Sequence, residues 1–347
     1  MPLFQLPPEV IIQIFDLVGS SYFQSDLSRL RVCKQWSEFA RTACFRDFHL
    51  TRQQLPRLIT APESSRQLVS NNIERLYLKL KPLEDWDSPN LWNQTVEELQ
   101  VLAVWADELN LLLVDLANKI IKEARKLRNL RIQATTGLQV PPPESCGYLY
   151  LDTLNTLLVS ASNLTSLDLD LIGTRLESDL YKGFQHVCPT IAALLPTLQC
   201  LRLRLRTICA DVLKLAQDHS NSRVRLNKLL VNLSLSYESP VITAATHSQC
   251  CGSSSPTGGF LQLKEDLEKQ AQTLVAYMAA PKMVRILTHV PHPMALRAFD
   301  ALTGRTIQLG EGEGWGGEGE AIGGEDGSDD ESEESEIASL DWEEDGE

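Results

Sequence analysis

The sequence predicts an α/β chain in three parts: a unit of three short helices, an irregular leucine-rich strand–helix solenoid of horseshoe type, and a disordered acidic tail. Three observations predict it. Apolar residues recur at helical spacing in the first fifty positions, an apolar L-x-x-L-x-L frame returns five times between residues 73 and 235, and acidic residues crowd the end of the chain. At 347 residues and 43% hydrophobic composition, the chain has material for one large core or two ordinary ones.

In the N-terminal unit, Pro7 and Pro8 suit the opening of a helix, where a missing N–H costs nothing. Val10, Ile11, Ile14, Phe15 and Val18 then form a broad stripe, and Gly19-Ser20-Ser21 ends it. Asp26 is placed to cap a second short helix carrying Leu27 and Leu30, and a third follows with Val32, Trp36, Phe39 and Ala40. Three helices of this size cannot enclose Leu6, Ile11, Phe15, Val32 and Trp36 among themselves. Either a partner docks on that surplus or the rest of the chain covers it.

The second part spans residues 73–309, with a linking segment at 51–72 built around Leu55-Pro56-Arg57-Leu58-Ile59 and Leu68-Val69. Its frame reads Ile73/Leu76/Leu78, Leu127/Leu130/Ile132, Leu164/Leu167/Leu169, Leu198/Leu201/Leu203 and Leu230/Leu233/Leu235, with a looser copy at Met283/Ile286. Each copy ends in alternation, as in Ser166–Leu171 and Cys200–Leu205, which is the signature of a half-buried strand. Helical stretches at 92–126, 148–160, 191–195, 209–219 and 260–278 separate the copies. Such strand–helix units bury their faces only by stacking on one another. Segments 136–147, with Pro141–Pro143, and 236–259, with Cys250-Cys251, read as loops.

The charge is segregated. Of 46 acidic residues seventeen fall at 311–347, where there is no Lys or Arg, so residues 1–310 hold 29 acidic against 32 basic side chains. A near-neutral body gives no grip on nucleic acid, and the tail from 310 to 347 repels phosphate and predicts disorder. Ser328, Ser332 and Ser335, set among carboxylates, suit an acidophilic kinase. No secretory leader and no membrane-length apolar run is read from the sequence, and eight dispersed cysteines without a CxxC pair do not form a disulfide framework. These features lead one to expect a cytoplasmic or nuclear protein free of membrane.

Chemistry-bearing constellations are sparse. His289 and His292 lack a ligand set of recognised spacing, the glycines of the tail are not a phosphate cradle, and nothing basic adjoins Cys250-Cys251. No enzyme active site, metal or small-molecule cofactor is therefore expected. The comb Arg202, Arg204 and Arg206 would give a positive ridge for a carboxylate or phosphorylated peptide if it lay on an open sheet face. A hidden catalytic domain would instead need Asp168, Asp170, Arg202 and His186 to converge in one pocket.

Residues 6–48 carry a further pattern: Leu6-Pro7-x-Glu9-Val10-Ile11-x-x-Ile14-Phe15, then Asp26-Leu27-x-x-Leu30-x-Val32-Cys33-Lys34-x-Trp36. It resembles an F-box, with the connection Val18–Ser25 longer than usual. The resemblance implies a helical domain at 1–50 that binds a Skp-family adaptor and, through it, a cullin and RING subunit. Leu6, Pro7, Ile11, Ile14, Phe15, Leu30, Val32 and Trp36 would then form or support the adaptor interface. The remainder resembles, more loosely, the divergent leucine-rich regions that follow an F-box in filamentous fungi. The implied role is non-catalytic: the substrate-recognition subunit of a ubiquitin ligase, or else an F-box scaffold acting outside a productive ligase.

Overall fold

The computed structural model describes residues 6–83, 95–135, 147–173, 176, 186–215, 223–235, 244–248, 259–290, 295–310 and 313–321. Ser328, Ser332, Ser335, Cys250 and Cys251, and the tail beyond 321, lie outside the described residues. Among those described, the fold is mixed α/β with a mostly parallel ten-stranded sheet, and no helix is long and apolar enough to cross a membrane.

The N-terminal unit begins with α1 (Pro8–Val18), opened by proline at its first turn and closed by Gly19 at φ +80°, a left-handed conformation that favours glycine. The predicted loop after it is in fact a second helix, α2 (Ser20–Ser25), whose Phe23 is fully buried. One buried aromatic is enough to hold those two turns against the helices on either side. Asp26 caps a 3-10 turn at Leu27–Arg31 by accepting from Ser28 N at 2.9 Å. In α3 (Lys34–Arg46) the cap is Cys33, whose Sγ accepts from Trp36 N.

The sheet starts earlier than the leucine frame predicts. Strand β1 (Asp47–Thr51) leaves α3 without a break, and its segment Phe45-x-x-Phe48-x-Leu50 is a copy of the frame with Phe in two of its apolar positions. The segment 51–72, expected as a linking helix or linker, is helical and lies within the sheet's own layer of helices. It forms α4 (Leu55–Ile59) and α5 (Glu63–Asn72), the helical return between β1 and β2 (Arg75–Leu80), and buries Leu55, Ile59 and Val69 in the main core.

The sheet then adds β3 (Asn129–Ala134), β4 (Ser166–Leu171), β5 (Cys200–Leu205), β7 (Lys228–Asn232) and β9 (Met283–Val290), every one parallel to its neighbour and in chain order. Between them lie α6 (Val96–Leu116), extended by a π turn at Ala117–Ile121, then α7 (Leu151–Ser160), α8 (Cys188–Ala192) and α9 (Phe260–Val275). A small second sheet pairs β6 (Thr207–Ile208) with β8 (Thr246–His247). The parallel run ends in an antiparallel meander of β10 (Ala295–Asp300), β11 (Arg305–Gln308) and β12 (Glu320–Ala321).

Two lateral rows bind the parallel strands. One runs Leu50, Leu78, Ile132, Leu169, Leu203, Val231, Ile286, all 2% exposed or less, and the other Phe48, Leu76, Leu130, Leu167, Leu201, Leu229, Val284. These pairings correct the frame on β7: its true copy is Leu226-x-x-Leu229-x-Val231, not Leu230/Leu233/Leu235. In a leucine-dense segment both readings satisfy the pattern, and only the neighbouring strand selects one. Leu230 is consequently turned to the opposite face.

The tail boundary at 310 is also corrected. Trp315 is 9% exposed against Leu230, Leu287, Ala298, Ile307 and Leu309, a second small core on the face away from the helices. Gly319, at φ +61°, allows the return into β12: a Cβ there would meet Gln308 O at 2.8 Å. An acidic composition did not prevent order because one tryptophan supplied the burial.

Leu203→Ala, in the centre of the first row, is expected to cost about 2–5 kcal/mol, whereas Val159→Ala, on an exposed helix face, should stay within about 0.5 kcal/mol. Urea unfolding of the two variants checks the contrast.

Candidate functional site

The sequence-predicted interface residues divide by position. Ile11 and Phe15 are buried, at 1% and 2% exposure, in a helical core with Phe23, Ala40, Ala43 and Cys44, so they support a surface and do not form it. Burial pushes the Cys44 thiol up to about 11, leaving it protonated. Leu6, Ile14, Leu30 and Trp36 are half-buried, while Pro7 and Val32 are exposed.

Phe15 organises the unit. Its ring stacks on Phe23 at 5.4 Å and takes Trp36 edge-on at 4.6 Å, and the Trp36 indole N–H donates to Arg29 O at 2.5 Å. The ring stack floors an apolar recess of about 430 Å³ between Ile14, Val18, Tyr22 and Trp36. Arg29 lies over Tyr22 at 4.1 Å from the ring centre and fixes one wall. Val10, Ile12, Leu17, Val18 and Tyr22 are exposed as well, Leu17 at 89%. Sequence reasoning singled out none of Ile12, Leu17 or Tyr22 for this surface. The signal was there in α1, whose apolar residues exceed one helical stripe.

Several polar contacts lock this unit to the sheet. Arg46 pairs with Asp16 and with Glu74 at 3.5 Å, and Arg75 pairs with Asp47. The Gln24 amide donates to Cys44 O and Asp47 O, both at 2.7 Å, and Thr42 Oγ1 donates to Asn72 Oδ1. With α3 running directly into β1, no connecting segment separates the helical unit from the sheet.

The second candidate surface is the sheet face away from the helices. One register row crosses it: His49, Tyr77, Arg131, Asp168, Arg202, Leu230, Arg285, Asp300, Arg305. The comb, which would give a positive ridge on an open face, meets carboxylates at two of its three positions. Arg204 is buried and makes a two-pronged pair with Asp170, Nε–Oδ1 2.9 Å and Nη2–Oδ2 2.7 Å. Arg202 approaches Asp168 at 4.0 Å, and Arg131 pairs with the same carboxylate at 3.1 Å. Arg206 is half-buried, and its carbonyl accepts from Thr246 N at 2.8 Å. Burial raises the Asp168 pKa, with Arg202 and Arg131 opposing that shift.

Trp315 then covers the arginines, with Arg202 at 3.9 Å and Arg204 at 4.9 Å from its ring, and Arg285 donates to Gly317 O. The open face is therefore divided. Its C-terminal half lies under residues 313–321, and its N-terminal half presents His49, Tyr77, Arg131 and Asp168, with Arg131 stacked 4.9 Å from the Tyr77 ring centre.

The four residues that a hidden catalytic pocket would need do not converge. Asp168, Asp170 and Arg202 sit on β4 and β5, but the His186 Nδ1 contacts are with Cys209 Sγ and Ser248 Oγ, beyond the ends of those strands. Protein-family models give no match to the chain, and the curated proteins give none either.

Two measurements test the electrostatics. Asp170→Ala would remove the two-pronged carboxylate partner of the buried Arg204 and should cost about 3–5 kcal/mol, whereas Asp170→Leu with Arg204→Met should recover most of that loss. His289, bonded to the Ser234 hydroxyl, is held below the ordinary imidazole range by burial and by the Arg204 charge. Its folded pKa thus lies below its unfolded one. The stability it contributes is complete above the unfolded value and is lost as pH falls through the folded value. The urea midpoint of His289→Gln should therefore drop less than that of the wild type from about pH 7 to about pH 5.

Proposed function

We infer that the chain is the substrate-recognition subunit of a cullin–RING ubiquitin ligase, with the helical unit as an F-box that docks on a Skp-family adaptor. The observation that carries this reading is the exposed apolar surface of that unit. Pro7, Val18, Tyr22 and Val32 are exposed, with Ile14 half-buried, over an aromatic core, at the positions where the F-box pattern places adaptor contacts or next to them. A soluble chain gains nothing by leaving such a surface bare unless a partner covers it.

The parallel sheet supplies the second requirement. A receptor of this kind performs no bond chemistry; it holds a lysine of its target near a loaded conjugating enzyme, and the rate gain comes from proximity. Proximity demands a fixed geometry between the two binding surfaces. The α3–β1 continuity and the Asp16–Arg46–Glu74 ion pairs provide it. In this reading the sheet is a divergent leucine-rich solenoid, and the target lies on its uncovered half around Tyr77 and Arg131.

Affinity capture of the full chain from its own cells, beside Leu6→Ala/Pro7→Ala and Val32→Asp variants, tests the proposal. Adaptor and cullin are expected with the wild type and should be lost at least tenfold with either variant while the circular dichroism stays native. Adaptor without cullin would instead favour a scaffold acting outside the ligase. Absence of both from an abundant, folded chain would overturn the reading.

A further inference from the structure

Between the start of α8 and the turn that follows β6, three ligand-type side chains meet in a place where none of the functions above requires them. His186 and Cys188 bracket the start of α8, and Cys209 stands at the N-cap of the 3-10 turn Ala210–Leu213 that follows β6. Their ligand atoms, one imidazole nitrogen and two sulfurs, all lie within 4.8 Å of one another. Both cysteines are fully buried and neither is in a disulfide, and His186 is half-buried at the outer side.

We propose that His186, Cys188 and Cys209 bind a zinc ion that clamps the start of α8 to the 3-10 turn that follows β6. The spacing fits tetrahedral ligation. With Zn–S near 2.3 Å and Zn–N near 2.0–2.1 Å, tetrahedral angles put sulfur and nitrogen about 3.6 Å apart. The Cys209 Sγ to His186 Nδ1 distance is 3.6 Å. The chemistry fits as well: two thiolates neutralise a divalent ion in a buried site, and mixed thiolate–imidazole ligation selects zinc over the hard cations. Three protein ligands leave a fourth position, and the buried Ser248 hydroxyl, 3.5 Å from His186 Nδ1, is placed to hold a water there.

The local architecture gives the ion a task. Strands β6 and β8 are two residues each, too short to hold their segments by backbone pairing alone. His186 and Cys188 come from one segment, Cys209 from the second, and Ser248 follows directly on β8. A single ion would tie the first two together beside the third. The proposal does not rest on the ligase reading and survives its failure.

Metal analysis of the full chain, purified under reducing conditions from zinc-supplemented cells, is the test. One zinc per chain is expected. Cys188→Ser and Cys209→Ser should each reduce it to background, while Cys33→Ser, which alters an exposed thiol and keeps a capping side chain, should retain it. Should the buried cysteine variants fail to fold, titration of the stripped wild type with Co²⁺ decides. Thiolate-to-cobalt charge transfer, with the strong d–d bands of a tetrahedral site, is expected and should be abolished by added zinc. A natively folded wild type that holds no zinc and gives no such bands would overturn the proposal, as would zinc retained by both cysteine variants.

Discussion

Seven parallel strands keep two rows of apolar side chains aligned from Leu50 to Ile286 and from Phe48 to Val284, and the other features depend on that alignment. Each strand alone has one apolar edge of about three side chains, too little to hold its backbone. Stacked in register, each side chain is covered by the strands on both sides and by the helices, so it contributes about 1.5–3 kcal/mol by leaving water. Pairing continues beyond the strands through carbonyls that each accept two N–H donors: Glu74 O from residues 128 and 129, Arg128 O from 165 and 166, Thr165 O from 199 and 200. The same backbone bonding is thus repeated where β3, β4 and β5 begin.

That regularity has two ends, and each is closed by a different device. At the N-terminal edge β1 continues directly from α3, and the Gln24 amide donates to Asp47 O at the start of that strand, which anchors the helical unit there. At the C-terminal edge the chain switches to an antiparallel meander, and Trp315 folds back over the sheet face that the helices leave open. The first closure makes a rigid joint between two candidate binding surfaces. The second removes half of the open face from use.

The electrostatics of the open face follow from register too. Because Asp168 pairs with Arg202, and Asp170 with Arg204, two of the three arginines of the comb face a carboxylate on the preceding strand. A sequence view sees three arginines in alternation and reads a positive ridge. Side by side, the two strands cancel. What remains for recognition is a mixed surface with stacked Tyr77 and Arg131, suited to selective contact and poorly suited to nonspecific attraction of anions.

Legible in the sequence were the helix start at Pro8, the cap at Asp26, the strands at 166–171 and 200–205, the apolar frames at Leu76/Leu78 and Leu130/Ile132, and the concentration of net negative charge at the end of the chain. These are local properties, set by spacing of three to four residues or of two, and by composition. Only the tertiary structure decided the rest. The frame at β7 could be taken in two registers, and the β5 pairing chose Leu229 over Leu233. Phe48 hid a strand because the pattern was sought in leucine. Cys209 is distant enough from His186 and Cys188 along the chain to leave no motif, and the start of α8 meets the turn after β6 only in the fold. Trp315, surrounded by glycine and glutamate, found its burial against Leu230 and two arginines more than eighty residues earlier. Nothing within a window of ten residues encodes such contacts, since their energy comes from surfaces that exist only once the parallel strands have stacked.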